Sequence, residues 1–175
     1  VHYLPEVAVL NNLEFDHADI FENLAQIQTS FRRLINLIPR NGLLIANGDD
    51  VNIAPLLGVD HCPIQRFGLS DANDLDFSEM GSHFSVNGSK FLLPLFGEIN
   101  MRNALAVILV ARHCGLIDSQ IQSAFEKFEG IKRRMEVRGE ARGVTVIDDF
   151  AHHPTAIRET LRAVKGRYPG QRVWA

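Results

Sequence analysis

The chain has 175 residues, 46% of them hydrophobic and 22% charged, with a formal net charge of -3. That composition supports a packed core and gives no basic footprint for nucleic acid. It contains neither an apolar run long enough to span a bilayer nor a signal peptide at its start, and Cys62 and Cys114 form neither a CxxC pair nor a disulfide framework, which points to a reducing, cytoplasmic compartment.

Val7-Ala-Val-Leu10 reads as a short buried strand. Leu24, Ile27, Phe31, Leu34, Ile35 and Ile38 then recur at helical spacing until Pro39 and Gly42 end the helix. Leu43 to Ala46 is the next strand, Asn47-Gly-Asp-Asp50 a turn, and Val51 to Leu57 a short helix. Strand, helix, strand in that order predicts a parallel sheet. From His83 the pattern changes: Phe84-Ser-Val86 and Lys90-Phe-Leu-Leu93 flank Asn87-Gly88, the pair suited to a type I′ hairpin turn.

Two helices follow, Asn100 to His113 closed by Gly115, and Ser119 to Phe128 opened by a Ser119-x-x-Gln122 capping box. Glu129 to Arg134 reads as a connector. Strands resume at Met135 to Ala141 and Val144 to Ile147, a helix runs from about Pro154 to Val164, and Arg172-Val-Trp-Ala175 reads as the opening of a third strand. Because the chain starts at Val1 without Met and ends on that strand, it is expected to be a piece of a longer protein. The fold expected is α/β: a mostly parallel sheet flanked by helices, a small antiparallel hairpin, and from about residue 131 the start of a second, Rossmann-like α/β domain.

Four clusters carry candidate chemistry. Val144-Thr-Val-Ile feeds into Asp148-Asp-Phe-Ala-His-His-Pro-Thr155, so Asp148, Asp149, His152 and His153 stand at the carboxyl end of a strand, where open α/β sheets take ligands. The plainer alternative is an Asp-rich turn opening a helix at Pro154. Asp16-His17 lies after the first strand beside Glu14 and Asp19, as a metal ligand or a solvated loop histidine; magnesium favours oxygen ligands. Asn100 and Asn103 lie one turn apart, where carboxamides could read a base edge or Asn100 could cap the helix. Arg133 and Arg134 could clamp phosphate or simply face water.

Taken in order, Asn12-Leu-Glu-Phe-Asp-His-Ala-Asp19, Gly97-x-x-Asn-x-x-Asn103, Arg133-Arg-Met-Glu136 and Asp148 to Thr155 resemble the Mur ligases, ATP-dependent enzymes that build peptidoglycan peptides. The resemblance spans nearly the whole chain. It divides the chain into part of the family's central, ATP-binding domain over residues 1–130 and the start of its C-terminal domain over 131–175. It implies ATP and Mg2+ as cofactors. His17 would bind magnesium, Asn103 would contact adenine with Asn100 as its helical neighbour, Arg134 would approach the ATP phosphates, and Asp149 would hold the ribose hydroxyls. Arg134 and His17 would thus serve catalysis, while His152 and His153, characteristic of a subgroup, join the cofactor-binding set.

Phe15 and Phe150-Ala151 resemble the family's cell-wall-recycling branch, whereas the alanine-adding branch has Tyr-Gly at the second place. The recycling branch implies UDP-N-acetylmuramate and the tripeptide L-alanyl-γ-D-glutamyl-meso-diaminopimelate as the molecules joined. The alternatives are ligation of L-alanine, or a nucleotide-binding module without chemistry. The family's Gly-rich phosphate loop ending in Lys-Thr is absent from these residues, so the fragment alone is expected to be inactive. Lys90 is the first lysine, which leaves no candidate for the carbamylated lysine found after the Asp-His motif in several relatives.

Overall fold

The computed structural model describes residues 3–78 and 80–175, a mixed α/β chain that divides into two compact units. One comprises the residues up to Asp71 together with Leu105–Leu116, and the other Ala72–Ala104 together with Ile117–Ala175.

In the first unit β1 (Val7–Leu10), β2 (Leu43–Asn47) and β3 (Ile64–Phe67) form a parallel sheet in the order β1-β2-β3. Helix α1 (Leu24–Ile35) makes the crossover between β1 and β2. It starts where the Asn23 side chain accepts the Gln26 N–H at 3.1 Å, satisfying one of the first-turn donors. The central strand β2 is buried along its whole length, as a strand with parallel neighbours on both sides should be. Leu44 and Ala46 join Leu10, Ile27, Ile35, Ile38 and Leu56 in one apolar core.

Three sequence expectations are corrected here. The helix ends at Ile35, and Leu37 and Ile38 continue in tighter turns whose N–H groups bond to Leu34 and Ile35; Ile38 still reaches the core, so its apolar spacing survives without α-helical geometry. The helix expected over Val51 to Leu57 is only a 3-10 turn at Ala54–Leu56, with Pro55 one residue inside it. Strand β3 was not foreseen, since an Ile-Gln-Arg-Phe edge strand offers no continuous apolar run.

In the second unit β4 (Asn73–Ser78), β5 (Gly81–Val86) and β6 (Ser89–Leu93) form an antiparallel sheet in that order. Val86 pairs with Ser89 across Asn87 and Gly88, both at positive φ (53° and 82°), which is the expected primed turn. The unforeseen strand β4 carries the Asn and Asp residues that strands usually exclude, and it persists as an edge by pairing with β5. Phe84 and Phe91 stack at 5.7 Å between centroids, and Phe125 meets Phe91 edge-on at 6.1 Å.

Phe125 belongs to α3 (Asp118–Glu126). The expected Ser119–Gln122 box does not form: the helix starts one residue earlier, and Gln120 Oε1 accepts the Ile117 N–H instead. That frees Gln122 to accept the Leu92 N–H at 2.8 Å, fastening α3 to β6. Helix α2 (Glu98–His113) starts two residues before Asn100, so Asn100 lies inside the helix rather than at its cap.

Strands β7 (Glu136–Ala141) and β8 (Val144–Asp148) pair antiparallel around a two-residue turn, Arg142-Gly143, and α4 (Pro154–Arg167) follows with Pro154 at its first position. The hairpin is separate from the parallel sheet. Arg172 to Ala175 do not form the expected strand, because among the described residues no strand supplies them with a ladder of backbone hydrogen bonds.

Leu44 is fully buried at the centre of the parallel sheet. Leu44→Ala is therefore expected to cost about 2 to 5 kcal/mol of stability, read from the midpoint of urea unfolding.

Candidate active site

Loops at the carboxyl ends of two strands hold most of the candidate residues. After β1, the chain is pinned by the loop that follows β2. Asp50 Oδ2 accepts the Leu13 N–H at 2.8 Å, Asn52 Nδ2 donates to the Leu13 carbonyl at 2.8 Å, and Asn47 Nδ2 donates to the Asn11 carbonyl at 2.9 Å. Asn47 is itself only 3% exposed. The sequence marked Asn47 to Asp50 as a turn; the anchoring role of these side chains follows from burial and pairing, which a single strand pattern does not reveal.

Beyond this anchor His17 adopts φ 55°, the left-handed region that non-glycine residues seldom enter. Its carbonyl accepts from the Ile20 and Phe21 N–H groups at 2.8 and 2.9 Å, and its N–H meets Asp16 Oδ1 at 2.7 Å. The imidazole is exposed, with Nε2 4.0 Å from Asp16 Oδ2. Among the described residues no three His, Cys, Asp or Glu side chains cluster as a metal cage. Asp16 offers oxygen donors of the kind magnesium takes alongside phosphate and water, and His17 adds a nitrogen, a less usual donor for that ion.

The second constellation is built on β8. Asp149, the residue after the strand, accepts the Ala151 N–H on Oδ1 at 2.7 Å and the Met135 N–H on Oδ2 at 2.8 Å, with the Thr160 hydroxyl at 3.4 Å from Oδ1. Its carboxylate thereby ties the connector before β7 to the loop after β8. Phe150 N–H donates to the Arg133 carbonyl at 2.8 Å and closes the same junction. Around the Phe150 ring stand the Arg133 guanidinium at 4.8 Å, the Arg134 guanidinium at 6.0 Å and the His152 ring at 5.2 Å.

His152 Nδ1 lies 3.0 Å from the Phe150 carbonyl. A carbonyl only accepts, so in that bond Nδ1 carries the proton and Nε2 is left as the basic nitrogen. His153 is the N-cap residue of α4, its carbonyl accepting the Ile157 N–H at 2.9 Å.

Arg133 and Met135 both have positive φ (59° and 51°), so the connector needs external support. Glu136 provides part of it: Oε2 accepts the Arg133 N–H at 2.9 Å and Oε1 the Arg138 guanidinium at 2.8 Å. The Arg133 N–H, helped by Arg138, holds the Glu136 carboxyl below the usual glutamate range.

On α2, Asn100 Nδ2 donates to the Phe96 carbonyl at 2.7 Å and Asn103 is exposed. Gly97, which opens their motif, has φ 89°, and a Cβ there would stand 2.6 Å from Ala163 Cβ on α4. The structure thus gathers Arg134, Asp149 and His152 around Phe150, sets Asn100 and Asn103 on a separate helix, and places His17 in the other compact unit.

The fold and these strand-end loops define an α/β chain, and comparison with known proteins supplies its class. Residues 2–111 match the Mur ligase middle domain and residues 133–175 the Mur ligase glutamate ligase domain. The chain belongs to the Mur ligase family. It is 41% identical to the UDP-N-acetylmuramate–L-alanyl-γ-D-glutamyl-meso-2,6-diaminoheptandioate ligase of Escherichia coli, over 97% of this chain and 39% of that protein. Against the UDP-N-acetylmuramate–L-alanine ligase of Clostridium acetobutylicum the identity is 36%, over 99% of this chain and 40% of that one. The solved murein peptide ligase of Psychrobacter arcticus superposes with a TM-score of 0.69 at 34% identity, covering 99% of this chain and 38% of that one. The chain therefore spans about two-fifths of the length of the curated relatives it matches.

The Glu136 clamp has a definite pH signature. Since its folded-state pKa is depressed, its contribution is complete above the ordinary glutamate value and is lost as pH falls through the lowered one. The Arg133 amide resonance is expected to titrate with a midpoint below that of an ordinary glutamate, and Glu136→Gln to abolish that titration.

Proposed function

We propose that the full-length protein is an ATP-dependent ligase that joins L-alanyl-γ-D-glutamyl-meso-diaminopimelate to UDP-N-acetylmuramate in peptidoglycan recycling. Residues 1–130 form part of its central ATP-binding domain and 131–175 the start of its C-terminal domain. The carrying observation is the meeting of Arg134, Asp149 and His152 at the end of a strand in a chain of this family, where open α/β sheets take their ligands. The likeness to the E. coli tripeptide ligase supports the choice of amine.

In the proposed reaction the substrate carboxylate attacks the γ-phosphorus of ATP, ADP leaves, and an acyl phosphate results. The incoming amine adds to its carbonyl carbon, loses a proton, and the tetrahedral species expels phosphate to leave an amide. Both steps gather negative charge on oxygen, which a fixed guanidinium stabilises most where water is excluded. Arg134 takes this part, with the connector clamp fixing its backbone. Asp149 retains acceptor capacity for ribose hydroxyls beside its two short backbone bonds, because a carboxylate has about four lone-pair sites. Asn103 reads adenine with Asn100 beside it, and His152 and His153 complete the nucleotide-binding set. His17 would hold magnesium, which would supply positive charge to the nucleotide's phosphates. The chemistry belongs to the cytoplasm, where ATP is available.

A second reading, ligation of free L-alanine, draws on the likeness to the C. acetobutylicum enzyme and uses the same nucleotide chemistry. Side-by-side kcat/KM values for tripeptide and L-alanine decide between them, since that ratio is what discrimination means. The tripeptide is expected to be strongly preferred, and preference for L-alanine would transfer the protein to the second reading.

Asp149 separates ligand binding from scaffolding. Asp149→Asn keeps an acceptor for one backbone N–H but loses the charge, so calorimetry should show ATP binding weaker by about 1.5 to 3 kcal/mol. Asp149→Ala should in addition release amide-exchange protection at Met135 and Ala151.

A further inference from the structure

We infer that Phe150 is a positioning residue for the arginine pair: its ring and its backbone N–H together fix where the Arg134 guanidinium is presented. The inference rests on the assignment of Arg134 to the phosphates of ATP.

Three observations converge on this residue. Its N–H holds the Arg133 carbonyl at 2.8 Å, so the backbone of the connector is attached directly to Phe150. Its ring carries the Arg133 guanidinium at 4.8 Å and the Arg134 guanidinium at 6.0 Å, within the range where the negative face of an aromatic ring attracts a cation. Its ring edge contacts are shared with His152, whose Nδ1 is turned back onto the Phe150 carbonyl. The ring is nonetheless 48% exposed. What sets it apart from the chain's other part-exposed phenylalanines is that two guanidiniums and an imidazole stand around its ring.

The physical need is evident from the arginines. Both are exposed, and a free arginine side chain samples many rotamers. Two adjacent guanidiniums also repel each other. Attraction of both to one aromatic ring offsets that repulsion and removes rotamers without consuming the N–H donors that a phosphate would use. Arg133, the nearer of the two, is held further by its backbone bonds to Phe150 and, through Glu136, to β7. Arg134 lies at the outer limit of the ring's reach, 6.0 Å from its centroid.

The test uses the full-length protein and initial-rate kinetics with ATP varied. Replacing Phe150 by mono-, di- and higher fluorinated phenylalanines keeps the ring's shape while depleting its negative face. KM for ATP is expected to rise stepwise, by about threefold to tenfold across the series, with the thermal midpoint unchanged. Phe150→Leu should reproduce the full rise, and Phe150→Trp should restore the wild-type value. In an Arg134→Ala background the Phe150→Leu change should have no further effect, since the two act through one group.

A KM that stays flat across the fluorinated series, while Arg134→Ala raises it, overturns the positioning role and leaves the phosphate assignment standing. An Arg134→Ala variant with unchanged ATP kinetics overturns the phosphate assignment and this inference with it. Full additivity of the two substitutions also overturns it.

Discussion

The carboxylate of Asp149 is the constraint on which the candidate site depends. The loop after β8 leaves a two-stranded hairpin, and the connector before β7 passes through two residues at positive φ. Left to itself such a segment would sample many conformations. Asp149 accepts one N–H from each side of the gap, at Met135 and Ala151, and charge-assisted bonds of this sort are stronger than neutral ones. The register of β7 against β8 extends the tie, because Glu136 pairs directly with Asp148. Local geometry at the candidate loop is thus set by an acid that also has lone pairs left over.

The first unit repeats the device with different residues. Asp50, Asn47 and Asn52 satisfy backbone groups at Asn11 and Leu13 and so define the start of the loop that leads to His17. In both places a strand supplies a rigid platform and a short polar side chain supplies the attachment, which is why acids and amides accumulate at strand ends even before any ligand is considered. Their presence alone is therefore a weak sign of chemistry. What distinguishes the β8 loop is the addition of two guanidiniums and an imidazole around one aromatic ring.

Much of this was legible in the sequence because the strongest elements agree at every level. Leu43 to Ala46 is an apolar run buried on both faces, Val7 to Leu10 is an apolar edge strand whose Ala8 and Leu10 face the core while Val9 is exposed, and Asn87-Gly88 permits a tight primed turn. The edge strands β3 and β4 were not legible, since their residues are polar and their strand geometry comes from the partner's hydrogen bonds. The capping box was misplaced by two residues because Ser119-x-x-Gln122 and the true Ile117–Gln120 pairing overlap, and Gln122 is engaged instead in a long-range contact with Leu92. Motif order made the candidate residues recognisable, yet their scaffolding bonds, above all those of Asp149 and Phe150, belong to tertiary structure. The same limit applies to Asn100, whose side chain is already engaged with Phe96.

Gly97 shows how a binding motif becomes entangled with packing. Its positive φ disfavours any side chain, and independently of that the closeness of Ala163 leaves no volume for one. The two helices α2 and α4 can approach this closely only while both positions remain small. A larger residue at position 163 would press on the start of the very helix that bears Asn100 and Asn103, displacing them without altering either. Position 163 thus shares the selective fate of a motif to which it contributes no chemistry, and homologues that enlarge it should be found to have moved or reshaped the opening turn of α2.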